Sequence, residues 1–265
     1  MTLNLLKEEW FINNYYIFLY ENDLLENELE NSGSITYFEN GLVINTFRND
    51  TYSAFISNVN YKKENVEKII NLLSDFSPSV ITYGNACLNL VHQISNLNNY
   101  EIYNQTIAAL DKDDFVFSEA KEEALDKKIL IKRVDLFDFD KIKKFLEEEN
   151  FYPNSRNHWV NSYKKYVLEN NLNYGYIALK DKKVISHACV VYTNSKNAVI
   201  WGVATNPEFS GLGLASHLVS LLCKDILNNN LEPLLYYTEE KIGNLYKKLG
   251  FKDKAQYFIA SKVEN

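Results

Sequence analysis

Val203-Ala204-Thr205-Asn206-Pro207-Glu208-Phe209-Ser210-Gly211-Leu212-Gly213-Leu214-Ala215-Ser216 runs from an apolar, strand-like segment through a turn with two glycines into a helix. That order is an anion-binding arrangement. The first N–H groups of a helix lack intrahelical acceptors and carry partial positive charge, so a diphosphate placed there receives several charge-assisted hydrogen bonds. Gly211 and Gly213 suit the turn because a missing Cβ lets the backbone approach the anion and adopt dihedrals that other residues avoid. Downstream, Ala215, Leu218, Leu222 and Ile226 fall on one helical face and would seat the helix on a sheet. The pattern alone also fits a plain capping turn. A dinucleotide-binding turn is the rival functional reading, but its glycines follow the strand at once and need an acidic residue at a strand end about 20 positions later. Here Asn206–Ser210 intervene, and Glu232 precedes the next strand instead of ending it.

A second stretch, Leu234-Leu235-Tyr236-Tyr237-Thr238-Glu239-Glu240-Lys241-Ile242-Gly243-Asn244-Leu245-Tyr246-Lys247-Lys248-Leu249-Gly250-Phe251, reads as strand, short turn, helix and glycine stop, with Gly250 as the C-cap. Together the two stretches resemble the GCN5-related N-acetyltransferase superfamily. Its cofactor loop has the form Arg/Gln-x-x-Gly-x-Gly/Ala, which Ser210–Ala215 meets at Gly213 and Ala215. Its later Leu-Tyr-x-x-x-Gly-Phe signature is met by Leu245, Tyr246, Gly250 and Phe251. The resemblance covers roughly residues 129–260.

The resemblance implies the following roles. Backbone groups of Val203 and Thr205, on either side of Ala204, would pair with the pantetheine arm of acetyl-CoA as an added strand where the sheet splays. The segment Ser210, Gly211, Leu212, Gly213, Leu214, Ala215 and Ser216 would hold the coenzyme A diphosphate, through backbone N–H groups across Gly211–Ser216. Tyr246 would be the general acid that protonates the departing thiolate, and an amide at the splay would polarise the thioester carbonyl. A primary amine attacks directly, so no Ser or Cys nucleophile is needed, and no Gly-x-Ser-x-Gly elbow is present. Two positions depart from the family: Ser210 stands where Arg or Gln is usual, and Glu239 where an Asn is common seven residues before the Tyr. These departures keep a second reading open, an acyl-CoA-binding module without turnover. For the general base, Glu208, Glu239, His187 and a water chain all remain candidates; His187 in a strand also fits a core histidine.

The 265 residues suffice for two lobes of about 130 each. Hydrophobic residues make up 46% and charged residues 24%, enough for a packed core and against disorder. The net charge of −7 opposes binding to a phosphate backbone, so nucleic acid is not expected as a partner, and aminoacyl transfer from tRNA would need a basic surface that this composition does not supply. The expected partner is a small-molecule amine acceptor, with a homodimer left open. Charge interrupts the N-terminus at Lys7-Glu8-Glu9 before any signal-like core forms, and no run approaches the roughly 18 apolar residues of a membrane span, so a cytoplasmic location without membrane contact is expected. Cys87, Cys189 and Cys223 suggest neither a disulfide framework nor a metal site, and His92, His158 and His217 have no zinc-ligand spacing.

The fold expected is α/β with a mixed sheet. An N-terminal lobe over 1–125 should contain a helix over 3–20, a hairpin at Glu39-Asn40-Gly41, a strand over 52–59, helices over 64–73 and 87–97, and strands over 79–83 and 100–109. It reads as a degenerate copy of the acetyltransferase fold that shapes acceptor choice, similar to tandem-lobed and glycine N-acyltransferase-like members. The charge-dense stretch Asp111–Lys128 reads as a solvated connection. The C-terminal lobe over 126–265 should run from a strand at 129–134 through helices at 138–149 and 155–170, strands at 174–179, 184–192 and 198–205, a helix at 211–227, a strand at 233–238 and a helix at 240–249 to final strands from Phe251. Trp159, Trp201, Tyr236 and Tyr237 read as core aromatics, with the tyrosines also suited to an acceptor pocket.

Overall fold

The computed structural model describes residues 2–29, 33–38, 41–48, 51–58, 63–84, 93–94, 100–126, 128–148 and 174–263. The expected helix over 155–170, most of the one over 87–97, turn residues Glu39 and Asn40, and His92, His158, Trp159 and Cys87 lie outside them. The chain forms two compact units, one of Met1–Ile107 with Asp253–Asn265 and one of Ala108–Lys252.

The first unit holds α1 (Thr2–Glu8), α2 (Trp10–Glu21), α3 (Leu25–Leu29), β1 (Ser34–Phe38), β2 (Gly41–Arg48), β3 (Thr51–Asn58), α4 (Lys63–Phe76), β4 (Val80–Gly84) and β5 (Tyr100–Ala109), whose last residues cross into the second unit. The single helix expected over 3–20 is two, because Glu9 sits at non-helical φ −124, ψ 63 between them. Buried Asn13 ties the pair to the sheet, its Nδ2 donating to the Leu6 carbonyl at 2.8 Å and to Ser57 Oγ at 3.1 Å. β1, β2 and β3 form an antiparallel meander and β4 joins parallel to β3. On α4 the 3–4 spacing of Val66, Ile69 and Leu73 buries one face against Val43, Ile56, Ile81 and Tyr83.

The second unit holds α5 (Glu122–Asp126), β6 (Leu130–Arg133), α6 (Phe139–Glu148), β7 (Gly175–Lys180), β8 (Lys183–Thr193), β9 (Asn197–Thr205), α7 (Leu214–Asn228), β10 (Glu232–Tyr237) and α8 (Glu240–Lys248). Strands run in the order β10-β9-β8-β7-β6, antiparallel from β6 to β9, with β10 parallel to β9. Leu218, Leu222 and Ile226 of α7, with Tyr246 and Leu249, close the core over Val190, Ile200 and Leu235. The α/β mixed-sheet expectation holds.

Two boundaries differ from the sequence reading. The units divide at Ile107/Ala108 instead of near 125, and the final strand, β11 (Lys252–Lys262), pairs antiparallel with β4 through Tyr257↔Gly84 to Ser261↔Val80, so it returns to the first unit. Backbone bonds explain why Asp111–Lys121 is not a connection. Val116 N–H donates to the Leu249 carbonyl at 3.0 Å, Ser118 N–H to Ser220 Oγ at 3.0 Å and Lys121 N–H to the Leu212 carbonyl at 3.0 Å, which straps the segment across α7 and the end of α8. Gly250, at φ +101, lets the strap pass, since a Cβ there would lie 2.7 Å from the Asp114 carbonyl carbon.

Candidate active site

β9 and β10 pair in parallel only from Glu232↔Asn197 to Leu234↔Val199, although β9 continues to Thr205 and β10 to Tyr237. Beyond Val199 the β9 edge that faced β10 has no ladder partner in this pair, and an extended ligand can supply one. Along that extension Val203 and Thr205 are half-buried and Ala204 is buried, as period 2 requires.

A bulge bends this part of β9. His187 pairs with Ala204 and Cys189 with Trp201, so β9 carries one more residue than β8 between the two pairs, and Gly202 takes up φ +62. His187 Nδ1 lies 2.7 Å from the Gly202 carbonyl oxygen, which can only accept, so Nδ1 carries the proton. The ring is fully buried, and burial, only partly opposed by this bond, pulls its pKa down to about 4. His187 therefore holds the bulge as a neutral imidazole, the core-histidine alternative, and is out of reach of a substrate proton.

After β9 the chain turns by defined steps. Asn206 N–H donates to the Ile185 carbonyl at 2.8 Å, and its side chain accepts from Glu208 N–H at 2.9 Å, capping a short 3₁₀ turn that Pro207 opens. Gly211 at φ +80 and Gly213 at φ +75 then swing the backbone into α7, which starts at Leu214, three residues later than the sequence suggests. Leu212 and Leu214 are buried against Ala124, Ala178 and Ile185, which pins the loop and leaves only their amides for a ligand. Ser210 and Gly211 are exposed and Ala215 and Ser216 half-buried. The first helical bond comes from His217 N–H to the Gly213 carbonyl at 3.0 Å, so the amides of Leu214–Ser216 have no acceptor within the helix. A Cβ on Gly211 would meet nothing within 4 Å, so this side of the cradle is open. Free amides, a helix terminus and an open approach fit a diphosphate.

Tyr246 lies on α8, buried at 5% exposure among Tyr237 and Phe251, whose rings are 6.2 and 6.0 Å from its own. Burial first, and then the nearby Cys223, push its pKa up to about 12, so it is protonated at neutral pH. Among the described residues no partner holds its hydroxyl. Gly243 makes room for the Tyr237 ring, which a Cβ at that position would strike. Glu208 and Glu239 are exposed, and Glu239 caps α8 without a side-chain hydrogen bond. The sequence reading missed the Gly202 bulge and the strap; Phe115 and Phe117 inside the charge-dense stretch were the available signal for the latter, and both pack, Phe115 against the core of this unit and Phe117 edge-on to His217.

A mixed sheet that opens at its parallel pair in front of a glycine-led helix terminus is the class of fold used by coenzyme A-dependent acetyltransferases. The chain belongs to the GNAT acetyltransferase family, whose profile matches residues 53–260, reaching well into the first unit and beyond the 129–260 of the sequence resemblance. It is similar to the uncharacterised N-acetyltransferase ycf52 of Pyropia yezoensis, 31% identical over 71 residues, which cover 27% of this chain and 41% of that protein. The chain thus matches about two fifths of that relative's length. Its fold is similar to a GCN5-related N-acetyltransferase from Kribbella flavida (TM-score 0.64, 10% identity, covering 91% of this chain and 93% of that one). It is also similar to a tandem GNAT protein from the clavulanic acid biosynthesis pathway (TM-score 0.58, 10% identity, 89% and 85% covered). No described helix is long and apolar enough to cross a membrane.

Proposed function

We propose that this chain is an acyl-CoA-dependent N-acyltransferase that moves an acetyl group from acetyl-CoA to a primary amine of a small molecule or amino acid. The observation that carries this reading is the end of β9–β10 pairing at Val199↔Leu234 just ahead of the Gly211–Ser216 cradle, a free strand edge leading to a free helix terminus. Bound acetyl-CoA supplies an activated acyl carbonyl and a thiolate leaving group. Backbone groups of Val203 and Thr205 bind the pantetheine arm, and the amides of Gly211–Ser216 take the diphosphate, with Ser210 offering a hydroxyl. Tyr246 keeps its proton at neutral pH and delivers it to the departing sulfur. Direct attack by the amine is supported by the state of Cys189 and Cys223. Both thiols are buried and pushed up in pKa, which makes them poor nucleophiles. The first unit is read as a degenerate copy of the fold.

Ser210 and Glu239 support a second reading, an acyl-CoA-binding module without turnover. Free-thiol release against a panel of amines separates the two. Amine-dependent release that falls about 100-fold in kcat for Tyr246→Phe supports the transferase. Cofactor binding without amine-dependent release supports the module.

A further inference from the structure

The strap over residues 111–121 ends on the phosphate cradle. Lys121 N–H donates to the Leu212 carbonyl at 3.0 Å, and the Lys121 carbonyl accepts from Ala124 N–H at 2.8 Å. Ala124 is buried against Leu212 and Leu214, the two residues that pin the cradle. Both polar groups of the Lys121 backbone are therefore fixed at the flank of the glycine turn. Its nitrogen is 3.7 Å from where a Cβ on Gly213 would stand.

A lysine ammonium reaches roughly 6 Å from its Cα, and a diphosphate oxygen sits about 3 Å from the amide that binds it. The Lys121 side chain is exposed, and among the described residues its ammonium has no ion-pair partner. The surrounding charges are of the wrong sign for an anion: Glu119, Glu122, Glu123 and Glu208 are all exposed on the strap, α5 and the turn. At the loop position where the family carries Arg or Gln, this chain has the neutral Ser210. An acidic collar around an anion site needs a cation. Lys121 is the one lysine or arginine among the described residues of the strap from 118, α5 and the turn 206–216.

We propose that Lys121 supplies the countercharge for the coenzyme A diphosphate, taking from outside the loop the place that Ser210 leaves without charge. The inference rests on the coenzyme A reading above. It makes the strap part of the binding site, so that the segment that reads as a linker carries a ligand contact.

The test is calorimetric titration of coenzyme A and of 3′-dephospho-coenzyme A into the wild type, Lys121→Gln, and Lys121→Gln with Ser210→Arg. Lys121→Gln should weaken both ligands about tenfold, flatten the salt dependence of binding, and leave the melting temperature of the free protein unchanged. Ser210→Arg should recover most of that loss, since both side chains serve one subsite. Unchanged affinity in Lys121→Gln overturns the assignment, as does no recovery with Ser210→Arg. A loss confined to coenzyme A, with dephospho-coenzyme A unaffected, moves Lys121 to the 3′-phosphate and overturns the diphosphate assignment. Absence of binding by the wild type at millimolar ligand removes the coenzyme A reading itself, and is distinguishable because it needs no variant.

Discussion

Acidification should cost this protein stability through His187. The imidazole is fully buried against the Gly202 carbonyl, and burial holds its pKa at about 4 instead of 6.5. Above pH 6.5 the ring is neutral in both native and unfolded chains and contributes no pH dependence. Between 6.5 and 4 the unfolded chain binds a proton that the native ring refuses, so stability falls as pH falls; below 4 both states are protonated and the loss levels off. The full gap corresponds to about 3 kcal/mol, of which about 2 kcal/mol falls between pH 7 and 5. Urea unfolding of wild type and His187→Gln at several pH values isolates the effect, because carboxylates titrate in both proteins and cancel in the difference. The wild-type free energy should drop by about 2 kcal/mol relative to the variant from pH 7 to 5. Parallel pH profiles for the two proteins would refute the reasoning, and with it the neutral plug under the β9 bulge.

Three further outcomes follow from the same geometry. Gly250→Ala should destabilise by about 3 kcal/mol or more in denaturant unfolding, because the new methyl falls on the Asp114 carbonyl at a left-handed φ of +101. Gly213→Ala and Gly211→Ala should each cost about 1 kcal/mol of backbone strain, with Gly213→Ala the worse for stability because its Cβ approaches Glu119 O at 3.4 Å, while a Cβ on Gly211 meets nothing within 4 Å. Ser220→Ala should leave Ser118 N–H without its acceptor at a cost of about 1–2 kcal/mol, visible as faster hydrogen exchange at Ser118.

Much of the second unit is legible in the sequence because its signals are local. The glycines at 211 and 213, the 3.6-residue spacing on α7 and the glycine stop at 250 each specify nearby backbone, and the corresponding elements fall within about three residues of the expected ones. The signals that fail are non-local. Nothing in Lys252–Lys262 records that its partner is β4, some 170 residues earlier, so the strand reads as the end of the second lobe. The strap is hidden for a related reason: it is held largely by backbone N–H groups at Val116, Ser118 and Lys121, while most of its charged side chains, Asp114 with its ion pair to Lys252 excepted, face solvent as a linker's would. Of the proposed site, the glycine turn ahead of α7 and the place of Tyr246 on α8 are legible from residue types at fixed spacing. The bulge at Gly202 is not, because it depends on the pairing of β8 with β9.

The opened β9 edge and the Gly211–Ser216 cradle are proposed to form a coenzyme A site. Calorimetric titration of the intact chain with acetyl-CoA, at pH 7 and moderate salt, tests it most directly. Saturable one-to-one binding, abolished or strongly weakened by a bulky substitution at the open cradle position, Gly211→Trp, is the predicted result; no heat of binding at millimolar acetyl-CoA from a folded sample would contradict it and leave a shared fold without its ligand.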